Sequence, residues 1–248
     1  MRRREREERL SFRLAPAFMP LAPVHLPPRA DPWETLLPRM RECRQCALAD
    51  GRGQVVVYRG PPRPWLLFVG EAPGRSEDEE GIPFVGRAGR ILEEAAATSG
   101  LRATEWGVTN VIMCRPPKNR FDRRAALACR PWLGAKVASL APAILVTLGA
   151  NALEAFLPED LPVSQAAGVP HAWEGRVLFP MLHPAATLHS KAFAQRWKKD
   201  WERLGELLPS WRERHAPEAE QTPISRPGSP GRGAVRALPS GGILPPAP

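Results

Sequence analysis

Four short apolar runs constrain this chain more than any other feature: 65–70 (WLLFVG), 106–113 (WGVTNVIM), 143–149 (AILVTLG) and 176–181 (RVLFPM). They are continuous rather than alternating, and rich in β-branched or aromatic residues. Strands buried on both faces read this way. Helical patterns at 86–99, 122–140, 150–156 and 191–208 separate or follow them. Strand–helix alternation predicts a mostly parallel sheet covered by helices on both faces. In such sheets ligands bind outside the carboxyl ends of the strands. Stretches 70–89, 110–120 and 183–189 fall at those ends, so topology alone brings them together.

The remaining chain sets bounds. Its 248 residues suit one domain plus tails, and 43% apolar content permits a core. No apolar run reaches the ~18 residues of a membrane span. Pro16, Pro20, Pro23, Pro27 and Pro28 interrupt the N-terminal apolar stretch, which excludes a secretory signal and points to the cytoplasm. Residues 1–30 are Arg- and Pro-rich without a period and are expected to be disordered, with Met19 and Met40 as alternative starts. Residues 212–248 are expected to form a disordered Pro/Gly-rich tail, leaving 31–211 as the folded unit. Net charge is +9, but 1–30 contribute +4 and 212–248 contribute +2, which leaves +3 for the folded unit. Contact with a polyanion therefore has to come from local patches.

Cys43 and Cys46 form a C-x2-C pair, and Cys114 and Cys129 follow; there are no other cysteines. This is a metal-site pattern, and zinc and a [4Fe–4S] cluster both accept four thiolates. Spacing alone does not separate the two. The stretch CRPPKNRFDRR carries Arg115, Lys118, Arg120, Arg123 and Arg124. Such a run is either a solvated face or a set of phosphate contacts, and its place at a strand end favours phosphate. The glycine-rich loop at 70–90 is the anomaly of a basic chain. It packs Glu71, Glu77, Asp78, Glu79 and Glu80 together.

Taken in order, GEAPG (70–74), PFVG (83–86), TNV (109–111), CRPPKNR (114–120) and HPAA (183–186), with the cysteines interleaved, resemble the family 4 uracil-DNA glycosylases. The resemblance runs from about Cys43 to Leu208. It implies a three-layer α/β/α fold with a central four-stranded, mostly parallel sheet. It also implies a [4Fe–4S] cluster on Cys43, Cys46, Cys114 and Cys129, and excision of uracil from DNA. The partner is then uracil-containing DNA, acted on by a monomer in a prokaryotic nucleoid.

The same resemblance distributes roles. A glycosylase takes the base out of the stack and needs a clamp on it, a donor at its developing anion and negative charge near the sugar. Phe84 would stack on uracil, although a core Phe is the plain alternative. Asn110 offers an acceptor for N3–H and a donor for O4; cytosine presents the reverse pattern. As a simple strand-end residue it would merely cap. His183 would donate to O2, with Pro184 holding its backbone extended. Glu71 and Glu77 would line the pocket beside Ala72, where a water-activating Asp is absent. Asp78, Glu79 and Glu80 read as a solvated turn. Gly86 opens a helix whose amides would hold a DNA phosphate or simply pack closely. Arg115, Lys118 and Arg120 would contact DNA. After HPAA the family has an aliphatic residue, then Leu and Arg; here Thr187, Leu188 and His189 follow. Thr187 is a poor wedge, which leaves Leu188 to serve and predicts a preference for single-stranded or mispaired uracil. The competing reading is a non-catalytic iron–sulfur nucleic-acid-binding module on the same fold.

Overall fold

The apolar runs become a single sheet. Its strands are β1 (Leu66–Gly70), β2 (Trp106–Asn110), β3 (Ile144–Leu148), β4 (His171–Trp173) and β5 (Arg176–Met181), in the order β2-β1-β3-β5-β4. The computed structural model describes residues 21, 23–157 and 161–216. β1, β2, β3 and β5 are parallel, as expected. The four-stranded expectation gains a fifth strand, because β4 adds antiparallel to β5. Glu174 and Gly175 link the two, both with positive φ, which suits a two-residue hairpin. A three-residue strand is too short to show a hydrophobic period. Pro180 sits in β5 beyond the last residue paired with β4, so its missing N–H costs no bond on that side.

Every residue of β1, β2 and β3 is buried, and alternate side chains feed two cores. Leu67, Val69 and Leu145 pack with Leu36 and Met40 of α1 (Trp33–Arg41). On the other face, Leu66, Phe68 and Val146 pack with Leu92 and Ala96. The helices between are α2 (Arg75–Glu80), α3 (Arg87–Thr98), α4 (Arg123–Leu140), α5 (Ala150–Glu154), α6 (Val163–Ala166) and α7 (Lys191–His215). Leu133 and Val137 of α4 join the first core, while Trp197, Trp201 and Leu204 of α7 join the second. This is the expected three-layer arrangement. The start of α4 is set by Asp122, whose Oδ1 accepts the Ala125 N–H at 3.0 Å. Among the described residues no helix is long and apolar enough to cross a membrane.

Packing extends past both expected boundaries of the folded unit. Leu21 and Val24 are buried, and the Val24 N–H donates to the Ala155 carbonyl at 2.7 Å. The prolines there hold an extended strip that fits against α4 and α5, so order begins before residue 31. Residues 1–20 and 217–248 lie outside the described residues. At the other end, Pro209 argues for a stop near 208, yet α7 continues to His215. Trp211 is buried against Phe179, and Arg212 reaches a buried carboxylate. Those tertiary contacts outweigh one lost helical hydrogen bond.

That carboxylate is Glu105, which has no exposed side-chain surface. It accepts from Arg212 Nε at 2.7 Å and Nη2 at 3.0 Å, and from the Arg102 N–H at 2.7 Å. Burial pushes its carboxyl up, but hydrogen bonds and charge from Arg212 and Arg102 outweigh this and hold it below the usual range. Arg212→Ala would leave the buried charge to Arg102 alone and should cost about 2–3 kcal/mol in urea unfolding at pH 7. Because the folded value is lowered, the stabilisation is complete above the ordinary carboxylate pKa. It fades as pH falls through the folded value, so the gap between wild type and Arg212→Ala should close in acid. A gap independent of pH would contradict the assignment.

Candidate active site

β1 is flanked by β2 on one side and β3 on the other, so the chain reverses its winding direction beside β1. This is where open α/β sheets bind ligands. A cleft of about 570 Å³ opens there, walled by residues 71–77, 84–90, Asn110 and the His183–His189 loop.

The floor is built by an absence. A β-carbon on Gly70 would stand 2.5 Å from Asn110 Oδ1 and 2.5 Å from Phe84 Cζ. Only glycine lets the aromatic ring and the amide share this wall. Asn110 is the last residue of β2 and is 2% exposed. Its Oδ1 is buried with no hydrogen-bond partner among the described residues. Such an orphan acceptor costs free energy unless a ligand meets it. Phe84 adopts φ +58, unusual for a bulky residue. Arg59 Nη2 donates to its carbonyl at 3.2 Å, and a β-carbon on Gly89 would fall 1.8 Å from the same oxygen. Glycine at 89 and arginine at 59 together hold this strained backbone, which sequence alone offers no way to foresee.

His183 closes the opposite side. Its ring centroid lies 6.1 Å from that of Phe84. Nδ1 accepts the Ala185 N–H at 3.2 Å, which leaves Nε2 as the protonated nitrogen of the neutral ring. Burial lowers its pKa from 6.5 to about 4, with Glu77 opposing. The imidazole is therefore a neutral donor at pH 7. Asp200, 2% exposed on α7, steadies the loop by accepting the Leu182 N–H at 3.3 Å.

The acidic loop proves to be largely structural. Glu77 Oε2 accepts the Gly74 N–H at 3.0 Å, and Oε1 accepts the Gly86 N–H at 2.8 Å. One carboxylate thus ties both glycine turns together. The Gly86 amide is committed inward to Glu77, so of the N–H groups at the start of α3 only those after it are left to meet a phosphate. Asp78 belongs to α2 and accepts the Gly53 N–H at 2.9 Å, so it is more than a solvated turn. Glu71 faces the cleft, held by Asn151 Nδ2 at 2.7 Å. Asn151 sits on α5, after β3, and nothing in its local sequence announces this contact across 80 residues.

Ala72 and Leu188 line the cleft as expected. Leu188 is 42% exposed, whereas Thr187 Oγ1 turns back to the Pro184 carbonyl at 2.7 Å. Arg115, Lys118 and Arg120 are not among the lining residues, although their neighbours Pro116 and Asn119 are, and Arg115 Nε donates to Asn119 Oδ1 at 2.8 Å. Lys118 and Arg120 are exposed. The cations that do line the cleft are Arg75, Arg87 and Arg90. Arg75 and Arg87 are first residues of α2 and α3, where the helix dipole disfavours positive charge. That mismatch is the signal that could have found them.

The four cysteines approach one region between α1 and α4. Trp132 Nε1 donates to Cys43 Sγ at 3.3 Å and Arg52 Nη1 to Cys114 Sγ at 3.5 Å. Burial raises the Cys114 thiol, and it raises Cys129 to about 11; neighbouring cysteine charge adds to both. Among the described residues no three such side chains close into a ready metal cage. The donor set itself fits a soft metal: four sulfurs, with two N–H donors aimed at sulfur.

A family model described as the uracil DNA glycosylase superfamily matches residues 57–205. The type-4 uracil-DNA glycosylase of Thermotoga maritima is 36% identical over 167 residues, covering 66% of this chain and 87% of that protein. That of Sulfurisphaera tokodaii is 33% identical over 187 residues, covering 71% and 85%. The chain belongs to the type-4 uracil-DNA glycosylases. In this glycosylase the matched stretch holds the entire cleft together with Cys114 and Cys129, while Cys43 and Cys46 precede it.

The tautomer assignment for His183 is open to direct test. Nitrogen-15 NMR should show a neutral ring with the proton on Nε2 at pH 7 and a midpoint near 4. Folding should lose stability as pH falls from 6.5 toward 4, because only the unfolded state then takes up the proton. A midpoint near 6.5, or a proton on Nδ1, would overturn the assignment.

Proposed function

We propose that the cleft hydrolyses the bond between C1′ and uracil N1 in DNA, with Asn110, Phe84 and His183 clamping the extruded base. The observation that carries this reading is the buried, unpartnered Oδ1 of Asn110. An acceptor of that kind suits uracil N3–H, and the amide nitrogen suits O4. Cytosine would set acceptor against acceptor. Phe84 would supply an aromatic face, and the His183 Nε2–H would donate to O2 as the base departs as an anion. The C1′–N1 electron pair leaves with the base, a water oxygen joins C1′, and the proton that water gives up is taken by the departing uracil anion, directly or through solvent.

Glu71 is the carboxylate free to face the developing sugar cation, oriented by Asn151. Glu77 serves by holding the loops and by adding negative potential near His183. With Ala72 in place of an acid, the chemistry leans on electrostatics more than on a strong base. Arg75, Arg87 and Arg90, which line the cleft, would follow the phosphates, and Arg115, Lys118 and Arg120, on the segment that contributes Pro116 and Asn119 to the lining, would extend that contact. Leu188 would occupy the space left in the duplex, without help from Thr187. A monomer working on chromosomal DNA suffices for all of this.

Labelled DNA bearing one uracil, single-stranded or paired, treated with alkali after incubation, tests the reading. Strand cleavage should appear, fastest on single-stranded or mispaired uracil. Asn110→Ala and His183→Ala should each lower it roughly a hundredfold or more. Equal rates on single strands and U·A pairs would contradict the wedge assignment. No cleavage at all would favour the non-catalytic iron–sulfur binding module.

Cys43, Cys46, Cys114 and Cys129 would hold a [4Fe–4S] cluster, which supplies a rigid crosslink between the N-terminal segment and the sheet. Purified protein should be brown, with about four irons per chain, and Cys114→Ser should lose the colour. Colourless protein with stoichiometric zinc would replace this cofactor.

A further inference from the structure

Behind Asn110 stands a lysine with no exposed surface. β2 sends Val108 and Asn110 to the α3 side of the sheet, and Thr109 and Val111 to the α4 side. Lys136, on α4, approaches from the α4 side and is 0% exposed. Its Nζ donates to Thr109 Oγ1 at 2.6 Å and to the Asn110 main-chain oxygen at 3.1 Å. Thr109 Oγ1 passes the link on, donating to the Val57 carbonyl at 2.7 Å. Both acceptors of the ammonium are neutral oxygens.

A buried ammonium without a carboxylate is costly. The neighbours of Lys136 on α4 include Leu133 and Val137, and an apolar side chain would pack among them at less cost. What the lysine contributes is several donors converging on one point. They secure both the hydroxyl and the main chain at the end of β2. They act from the face opposite the cleft, so the Asn110 amide is immobilised without being occupied.

We propose that Lys136 is a positioning residue for uracil recognition: it locks the Asn110 main chain from behind the sheet so that the unpartnered amide meets the pyrimidine edge in one orientation. The inference rests on the uracil-excision reading above. It differs from simple satisfaction of a buried carbonyl, because its effect must pass through the Asn110 side chain.

A double-mutant cycle separates the two. Single-turnover uracil release would be measured for wild type, Lys136→Met, Lys136→Gln, Asn110→Ala and Asn110→Ala combined with Lys136→Met, with melting temperatures alongside. Lys136→Met should lower kcat/KM roughly ten- to a hundredfold, expressed in kcat rather than KM. Lys136→Gln, which keeps an N–H donor, should recover most of the rate. In the Asn110→Ala background Lys136→Met should have no further effect. A loss of equal size in that background, or an unchanged rate in folded Lys136→Met, would overturn the proposal. Should Lys136→Met fail to fold, Thr109→Val removes the hydroxyl that anchors the ammonium. A loss for that variant that vanishes with Asn110→Ala supports the proposal, and an equal loss or none overturns it. Wild type that releases no uracil would instead remove the excision reading and this inference together.

Discussion

The end of β1 has room for no side chain. Because Gly70 lacks a β-carbon, the Phe84 ring and the Asn110 amide can stand on one wall within reach of the same small ring. The remaining supports follow from that contact. Phe84 must take a left-handed backbone to aim inward, so its carbonyl needs Arg59 and a glycine at 89. Asn110 must end a strand with its amide empty, so its main chain is held from the far side by Lys136. An alanine at position 70 would disturb both walls at once.

The acidic loop of a basic chain has a physical explanation in the same setting. Glu77 and Asp78 are consumed by backbone N–H groups of the surrounding turns, each bond charge-assisted and therefore stronger than a neutral one. Their charge is spent on rigidity. Glu71 and Glu77 both line the cleft, but Glu77 has both oxygens bound to loop N–H groups while Glu71 is held through one oxygen by Asn151, and arginines at the helix starts line the opening. The field at the mouth is thus positive toward phosphates, while the interior keeps two carboxylates, of which Glu77 acts on the His183 imidazole.

Buried ionic groups recur across the fold. Arg196 pairs with Asp200, which holds the peptide before His183. Glu105 with Arg212 pins the end of α7 to the loop before β2. Lys136 stands behind Asn110. Such groups are poor sources of stability but strong sources of geometry, since an unmet buried charge is too costly to tolerate alternative packings.

The four parallel strands and the helices between them were legible from hydrophobic runs and periods, because burial on both faces demands uninterrupted apolar residues. The stretches that wall the cleft were legible too, since a parallel sheet delivers its strand ends to one edge; the resemblance of their motifs singled out Glu71, Phe84, Asn110, His183 and Leu188 within and beside them. Helix α2, the continuation of α7 past Pro209, and the packed strip around Val24 were not. Each depends on contacts with residues distant in the chain, which no local window contains. The same holds for Glu77 as a tie between turns, for Asn151 beside Glu71 and for Lys136 beneath Asn110. Sequence determined which chemical groups reach the edge of the sheet, because strand polarity follows from pattern. Tertiary structure decided which of those groups are left free to act, because hydrogen-bond partners are assigned only when distant segments meet.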